Sequence, residues 1–138
     1  MIQQTLTTSF KLEMLQAGQN LATDTLFIAL YTAFASIGPT TTAYSTDNEV
    51  VGTGYAAGGI PLTGATISST PDGVVYVDFD NAVWPAASFT ARGALIYNVT
   101  QGNASVAVLD FGADKTCNSS NFTITMPSNT ATTALFRF

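Results

Sequence analysis

Histidine is absent from this chain. With it go the commonest general base, the commonest metal ligand and the side chain that most readily changes charge near neutral pH. Cysteine occurs once, at Cys117, so no intrachain disulfide can form and a small secreted domain stapled by bridges is excluded. Charge is scarce: Asp, Glu, Lys and Arg make up 9% of the residues, against about 25% in an ordinary soluble domain. Cations are scarcest, with four Lys+Arg against nine Asp+Glu, a net charge of −5 and a pI near 4.1. A grip on nucleic acid through phosphates needs a cationic footprint, and none exists. No apolar run approaches the length of a membrane helix; Leu26-Phe-Ile-Ala-Leu-Tyr31 is far too short. The segment Met1 to Lys11 has no charged start followed by an apolar stretch, so folding in a cytoplasm is expected, without an export signal.

What remains is 138 residues, 46% of them hydrophobic, enough for one domain with its own core. That hydrophobicity argues against disorder. The polar surface must be built from Thr, Ser, Asn and Gln, which lose little on desolvation and are easily pressed against another protein. Four Asn-x-Ser/Thr triplets start at Asn98, Asn103, Asn118 and Asn121. In a chain this rich in Ser and Thr, chance accounts for them.

One helix is predicted, from about Ser9 to about Asn20, because Phe10, Met14, Ala17 and Leu21 recur at helical spacing. Thr8 or Ser9 suits its start, and Gly18 and Asn20 its end. The rest reads as strands. Thr25 to Ala33 is apolar on both faces, as in a central or covered strand. Ile60 to Ser68 is a weaker strand, and Gly73 to Phe79 a strong one preceded by the turn Thr70-Pro-Asp-Gly73. Val83 to Trp84 reads as short and stopped by Pro85. Ala91 to Val99 and Ser105 to Phe111 form a hairpin across Thr100-Gln-Gly-Asn103. Phe122 to Met126 and Ala134 to Phe138 close the chain. The expectation is an all-β, jelly-roll-like β-sandwich of about eight strands with one short N-terminal α-helix, spanning residues 1–138 as one domain. Residues 1–8 would be an extended arm, and the Gly/Thr/Ser-rich stretch Ser36 to Gly59 a long connection suited to function or contact.

Candidate sites are few. Gly52-Thr-Gly-Tyr-Ala-Ala57 fits the dinucleotide pattern G-x-G-x-x-G/A, but Gly-Gly-Ile-Pro follows it and cannot open the helix that would hold a pyrophosphate. Glycines serving positive φ angles are the better account. Asp78, Asp80 and Asn81, or Asp47, Asn48 and Glu49, could offer oxygens to calcium, yet neither stretch fills a coordination sphere; a solvated strand end and a polar loop tip are the simpler readings. Paired carboxylates for glycoside hydrolysis are not singled out among nine acids. Without histidine, neither a Ser nor Cys117 has a ready base. No catalytic, cofactor-binding or metal residue is therefore assigned. Tyr31, Tyr44, Tyr55, Tyr76, Trp84 and Tyr97 could stack on sugars in a carbohydrate-binding adhesin, although such residues more often belong to a core. The terminal Ala-Leu-Phe-Arg-Phe138 is similar to the last strand of an outer-membrane barrel; a closing core strand is preferred.

Several segments taken in order carry a resemblance: Ser9-Phe-Lys-Leu-Glu-Met-Leu15, Asp24-Thr-Leu-Phe-Ile-Ala-Leu-Tyr-Thr32, Thr42-Ala-Tyr-Ser-Thr-Asp-Asn-Glu-Val-Val-Gly-Thr-Gly-Tyr-Ala-Ala-Gly-Gly59, Arg92-Gly-Ala-Leu-Ile-Tyr-Asn98 and Val106-Ala-Val-Leu-Asp-Phe-Gly112. From Ser9 to about Gly112 the chain resembles small β-rich virion proteins of tailed bacteriophages. The resemblance implies a structural subunit of the virion, made in the bacterial cytoplasm, with no cofactor and no catalytic signature, and it transfers no functional residues. A capsid cement or decoration protein bridging major capsid subunits is the first expectation; a tail, neck or fibre component is the second. Partners would be the major capsid protein or other virion proteins and further copies of the chain, with no nucleic acid and no membrane. Gln3, Thr5, Leu6, Phe10, Tyr44 and Tyr55 are the expected interface residues, drawn from the N-terminal region and the long connection.

Overall fold

One hairpin dominates the computed structural model, which describes all 138 residues. Its strands are β6 (Ala82–Asn98) and β7 (Ala104–Ile124). The other elements are β1 (Thr5–Leu6), α1 (Thr8–Leu15), β2 (Leu26–Tyr31), β3 (Ile60–Pro61), β4 (Thr66–Ser69), β5 (Val75–Asp78) and β8 (Phe136–Arg137). A five-stranded sheet has the order β1-β7-β6-β2-β3, and a three-stranded sheet the order β4-β5-β8. All named strand pairs are antiparallel. The fold is mainly β, with one helix, as the composition and turn spacing predict.

The hairpin absorbs four segments that the sequence reads as separate. Pro85 does not stop the strand. Register shifts lie on both sides of Ala87, and Ala86 takes a positive φ of 49°. A bulge is where a residue without an N–H can sit inside a ladder. Buried Trp84, Ala87, Phe89 and Ala91 keep the strand facing the core through these irregularities. On β7 the polar run from Ala113 to Asn121 stays paired although most of it faces solvent, with Cys117 turned inward opposite Phe89.

β2 is central, between β3 and β6, and its apolar character on both faces has a direct reason. Leu26, Ile28 and Leu30 join the main core with Phe10, Trp84, Ile96 and Val106. Ala29 and Tyr31 face the opposite way, into a second core with Leu95, Tyr97 and Val108. Val77, Phe79 and Phe136 bring the small sheet into the main core, where the Phe136 ring lies 6.4 Å from Phe10 and 6.1 Å from Phe79.

The helix is shorter than its periodicity suggests. Thr7 caps it by accepting from the Phe10 amide at 3.3 Å. Ala17 then turns to φ 56°, and the Gly18 amide donates to the Glu13 carbonyl at 2.7 Å. This is the usual left-handed ending, placed before Leu21. The N-terminal residues are likewise not a free arm. β1 extends the large sheet along β7, pairing Thr5 with Val108 and Leu6 with Ala107, and Ile2 bridges Ile37.

Candidate functional site

The stretch from Thr32 to Gly59 wraps the large sheet as a strap, with Ala35, Ile37 and Tyr44 packed on the second core and Val50 and Tyr55 on the main core. Its amides and carbonyls dock on β2, on the start of β7 and on the turn before it: Val50 donates to Leu30 at 2.9 Å, Tyr44 to Asn103 at 3.0 Å, and Ser105 donates to Thr42 at 2.9 Å. Gly59 touches the sheet so closely that a Cβ there would lie 1.8 Å from the Ile28 carbonyl oxygen, and its φ is +78°. Gly54 and Gly58 also have positive φ. Of the two glycines in the dinucleotide-like pattern, Gly54 has the expected positive φ, whereas Gly52 serves close approach to the Ser88 carbonyl, and no helix follows them.

Glu49 is the strap's latch. It is 7% exposed, and its carboxylate receives three hydrogen bonds. Tyr44 donates to Oε2 at 2.6 Å, while the Tyr55 hydroxyl and the Gly58 amide donate to Oε1 at 2.6 and 2.7 Å. Tyr55 also accepts from the Leu30 amide at 2.9 Å, and Tyr97 donates to the Gly58 carbonyl at 2.6 Å. The Tyr44 and Tyr97 rings stack at 4.6 Å. Burial, followed by the hydrogen bond and charge of Glu49, pushes the Tyr44 and Tyr55 hydroxyls well above the ordinary tyrosine range. Burial and then the Glu49 charge act in the same direction on Tyr31 and Tyr97. A carboxylate so fully engaged is poorly suited to accept a substrate proton. Its chemistry is that of a fixing point.

A second polar cluster pins the helix end to the hairpin. Gln19 is buried, donates to Glu13 at 2.8 Å and accepts from Asn98 at 3.1 Å. Asn98 also donates to Asp24 at 2.8 Å. Burial would raise the Asp24 pKa, but hydrogen bonds from the Asn20 amide and the Asn98 and Gln101 side chains outweigh it, and the carboxyl is held below its ordinary value.

Two surface concavities flank the small sheet. A groove of about 590 Å³ runs between the end of α1 and the small sheet, lined chiefly by Met14, Leu15, Leu21, Val75, Val77 and Phe138. Leu15 is 89% exposed and Phe138 50%. On the other side of the small sheet, Thr66, Asp78, Asp80, Asn81 and Asn129 line a polar cleft of about 320 Å³.

The expected interface residues fare unevenly. Gln3 is exposed, and Thr5 and Leu6 are half-buried at the sheet edge. Phe10 is fully buried in the main core, which corrects its assignment to an interface; its position in a capped first turn points it at Phe136. Tyr44 and Tyr55 turn their hydroxyls inward to Glu49. Tyr31, Trp84 and Tyr97 are buried, so they offer no stacking face for sugars. Sequence reasoning missed the latch, weighing Glu49 as an oxygen donor at a loop tip and as one of nine acids for a catalytic pair. The available signal was an acid between two tyrosines in a Gly/Thr-rich stretch. No protein-family model, no curated protein and no solved structure matches the chain.

Proposed function

We propose that this protein is a structural subunit of a tailed-bacteriophage virion, a capsid cement protein that bridges neighbouring major capsid subunits. The observation that carries the reading is an exposed apolar groove on a surface poor in charge. The groove beside α1 holds no charged side chain, and Leu15 and Phe138 stand out into solvent. Apolar patches of this kind on a soluble protein mark contact surfaces. The partner assigned to it is an apolar segment of the coat subunit, and repetition over a lattice would multiply a modest single contact. The ordered resemblance of the Ser9 to Gly112 segments supports the virion, as does a framework without disulfide or histidine, insensitive to redox state and to pH near neutrality. A jelly-roll-like sandwich belongs to the same reading, supported by five- and three-stranded antiparallel sheets sharing one core.

The test is made on purified particles. Gel densitometry should count hundreds of copies per virion, and particles stripped of the protein should lose resistance to heat and osmotic shock. Adding back the wild-type protein should restore it, whereas a Leu15→Asp, Phe138→Asp variant should not. A dozen copies or fewer would move the protein to the neck or tail, and unchanged resistance would remove the cement role.

A further inference from the structure

Only two buried side-chain polar atoms lack a hydrogen-bond partner, Asp78 Oδ2 and Trp84 Nε1. Asp78 is 3% exposed, and its other oxygen accepts only from the neighbouring Phe79 amide, at 2.9 Å. It lines the polar cleft together with Asp80. Neither carboxylate has a cationic partner, because both salt bridges in the molecule belong to Arg92, with Asp110 and Asp114. A buried carboxylate without a counter-charge is costly, and the usual remedies are a cation or a metal ion.

The cleft is built around these acids. Asp80 lies against Gly64 so tightly that a Cβ at Gly64 would meet its carboxylate at 2.4 Å, and the Asp80 amide donates to the Thr63 carbonyl at 2.9 Å. From the other side, Asn81 Oδ1 accepts from the Met126 amide at 2.7 Å, which brings Asn129 to the rim. Three stretches of chain thus converge, and every polar side chain they contribute carries oxygen: two carboxylates, two amides and the Thr66 hydroxyl.

We infer that this cleft is a calcium site, with Asp78 and Asp80 as its anionic ligands and Asn81, Asn129, Thr66 and water supplying neutral oxygens. Two carboxylates match the double charge. An all-oxygen set on three separate segments suits a cation that accepts six to eight ligands in irregular geometry, better than magnesium, which demands a regular octahedron. A bound ion would tie the exit of β5 to the segment leading into β8, riveting the small sheet to the end of the chain. The inference stands apart from the virion role and survives its failure.

Thermal unfolding of the full chain, with calcium chloride added after EDTA treatment, tests it, alongside calorimetric titration. A dissociation constant of about 0.1–1 mM is expected for a site of this kind. A rise of about 5 °C in Tm at 10 mM calcium follows by mass action. Asp80→Asn, at an exposed position, should weaken binding at least about tenfold, and the loop control Asp47→Asn should leave it unchanged. Asp78→Asn should abolish the response while unfolding no earlier than wild type in EDTA, since its charge is removed with its ligand. No binding heat and no Tm shift in the wild type would overturn the site. So would an undiminished response in Asp80→Asn, or an equal response to magnesium.

Discussion

Glu49 and Asp78 are both buried carboxylates, and the regions around them have solved the same problem differently. Under the strap, Glu49 meets two hydroxyls and an amide, and the large sheet beneath it is covered on both faces. At the small sheet, Asp78 has one local donor and an orphaned oxygen, while Ile67 and Val75 beside it stay exposed. Satisfaction from within makes the first region self-sufficient. The second has two unfinished surfaces, one polar and one apolar, which the proposed calcium ion and the proposed coat contact would complete.

The contrast can be broken first at the level of packing. Leu95→Ala, in the second core, should cost about 3–5 kcal/mol through the cavity it leaves, whereas Ile67→Ala in the small sheet should change stability by less than about 0.5 kcal/mol. Urea unfolding of both variants measures this; equal losses would erase the distinction between the regions. Next in size, Glu49→Ala strands three donors under the strap and should cost about 3 kcal/mol. Tyr44→Phe and Tyr55→Phe should each cost about 1–2 kcal/mol, with Tyr55 the larger because its oxygen also accepts from the Leu30 amide.

Alkali sharpens the same contrast. The unfolded chain releases its tyrosine protons above about pH 10, whereas the strap holds them because burial and Glu49 oppose ionisation. Above that pH the unfolded state therefore binds fewer protons, and stability falls as pH rises. The contribution is complete below about pH 10. Tyr55→Phe should flatten the fall; an unchanged slope would separate the tyrosines from the latch. The smallest effect is expected at Arg92, whose contacts to Asp110 and Asp114 are 3.8 and 3.6 Å long and partly exposed. Arg92→Ala should alter stability by no more than about 0.5 kcal/mol, and raised salt should leave the wild-type curve nearly unmoved.

Much of the framework is legible in the sequence. Thr70-Pro-Asp-Gly73 turns the β4–β5 hairpin with Gly73 at φ +98°, and Gly102 and Asn103 turn the β6–β7 hairpin at +66° and +65°. The two-faced hydrophobicity of β2 read as a central or covered strand, and β2 is central. Legibility failed where neighbours decide. Pro85 signals a stop unless a bulge receives it, and the polar run after Gly112 signals a loop unless a partner strand holds it. The strap looked like a reaching loop because its few large side chains are those that grip the sheet.

The residues alone determined that this is a mainly β protein with hairpins at two identifiable turns, lacking the imidazole and cationic chemistry of most active and nucleic-acid sites. Those properties depend on composition, period and turn chemistry, which act over a few residues. Only tertiary structure decided that Tyr44, Glu49, Tyr55 and Gly58 form one latch, that Phe10 is core, and that Asp78, Asp80 and Asn129 share a cleft. Those are relations between segments brought together by burial of apolar surface, and burial carries no local signature in the chain.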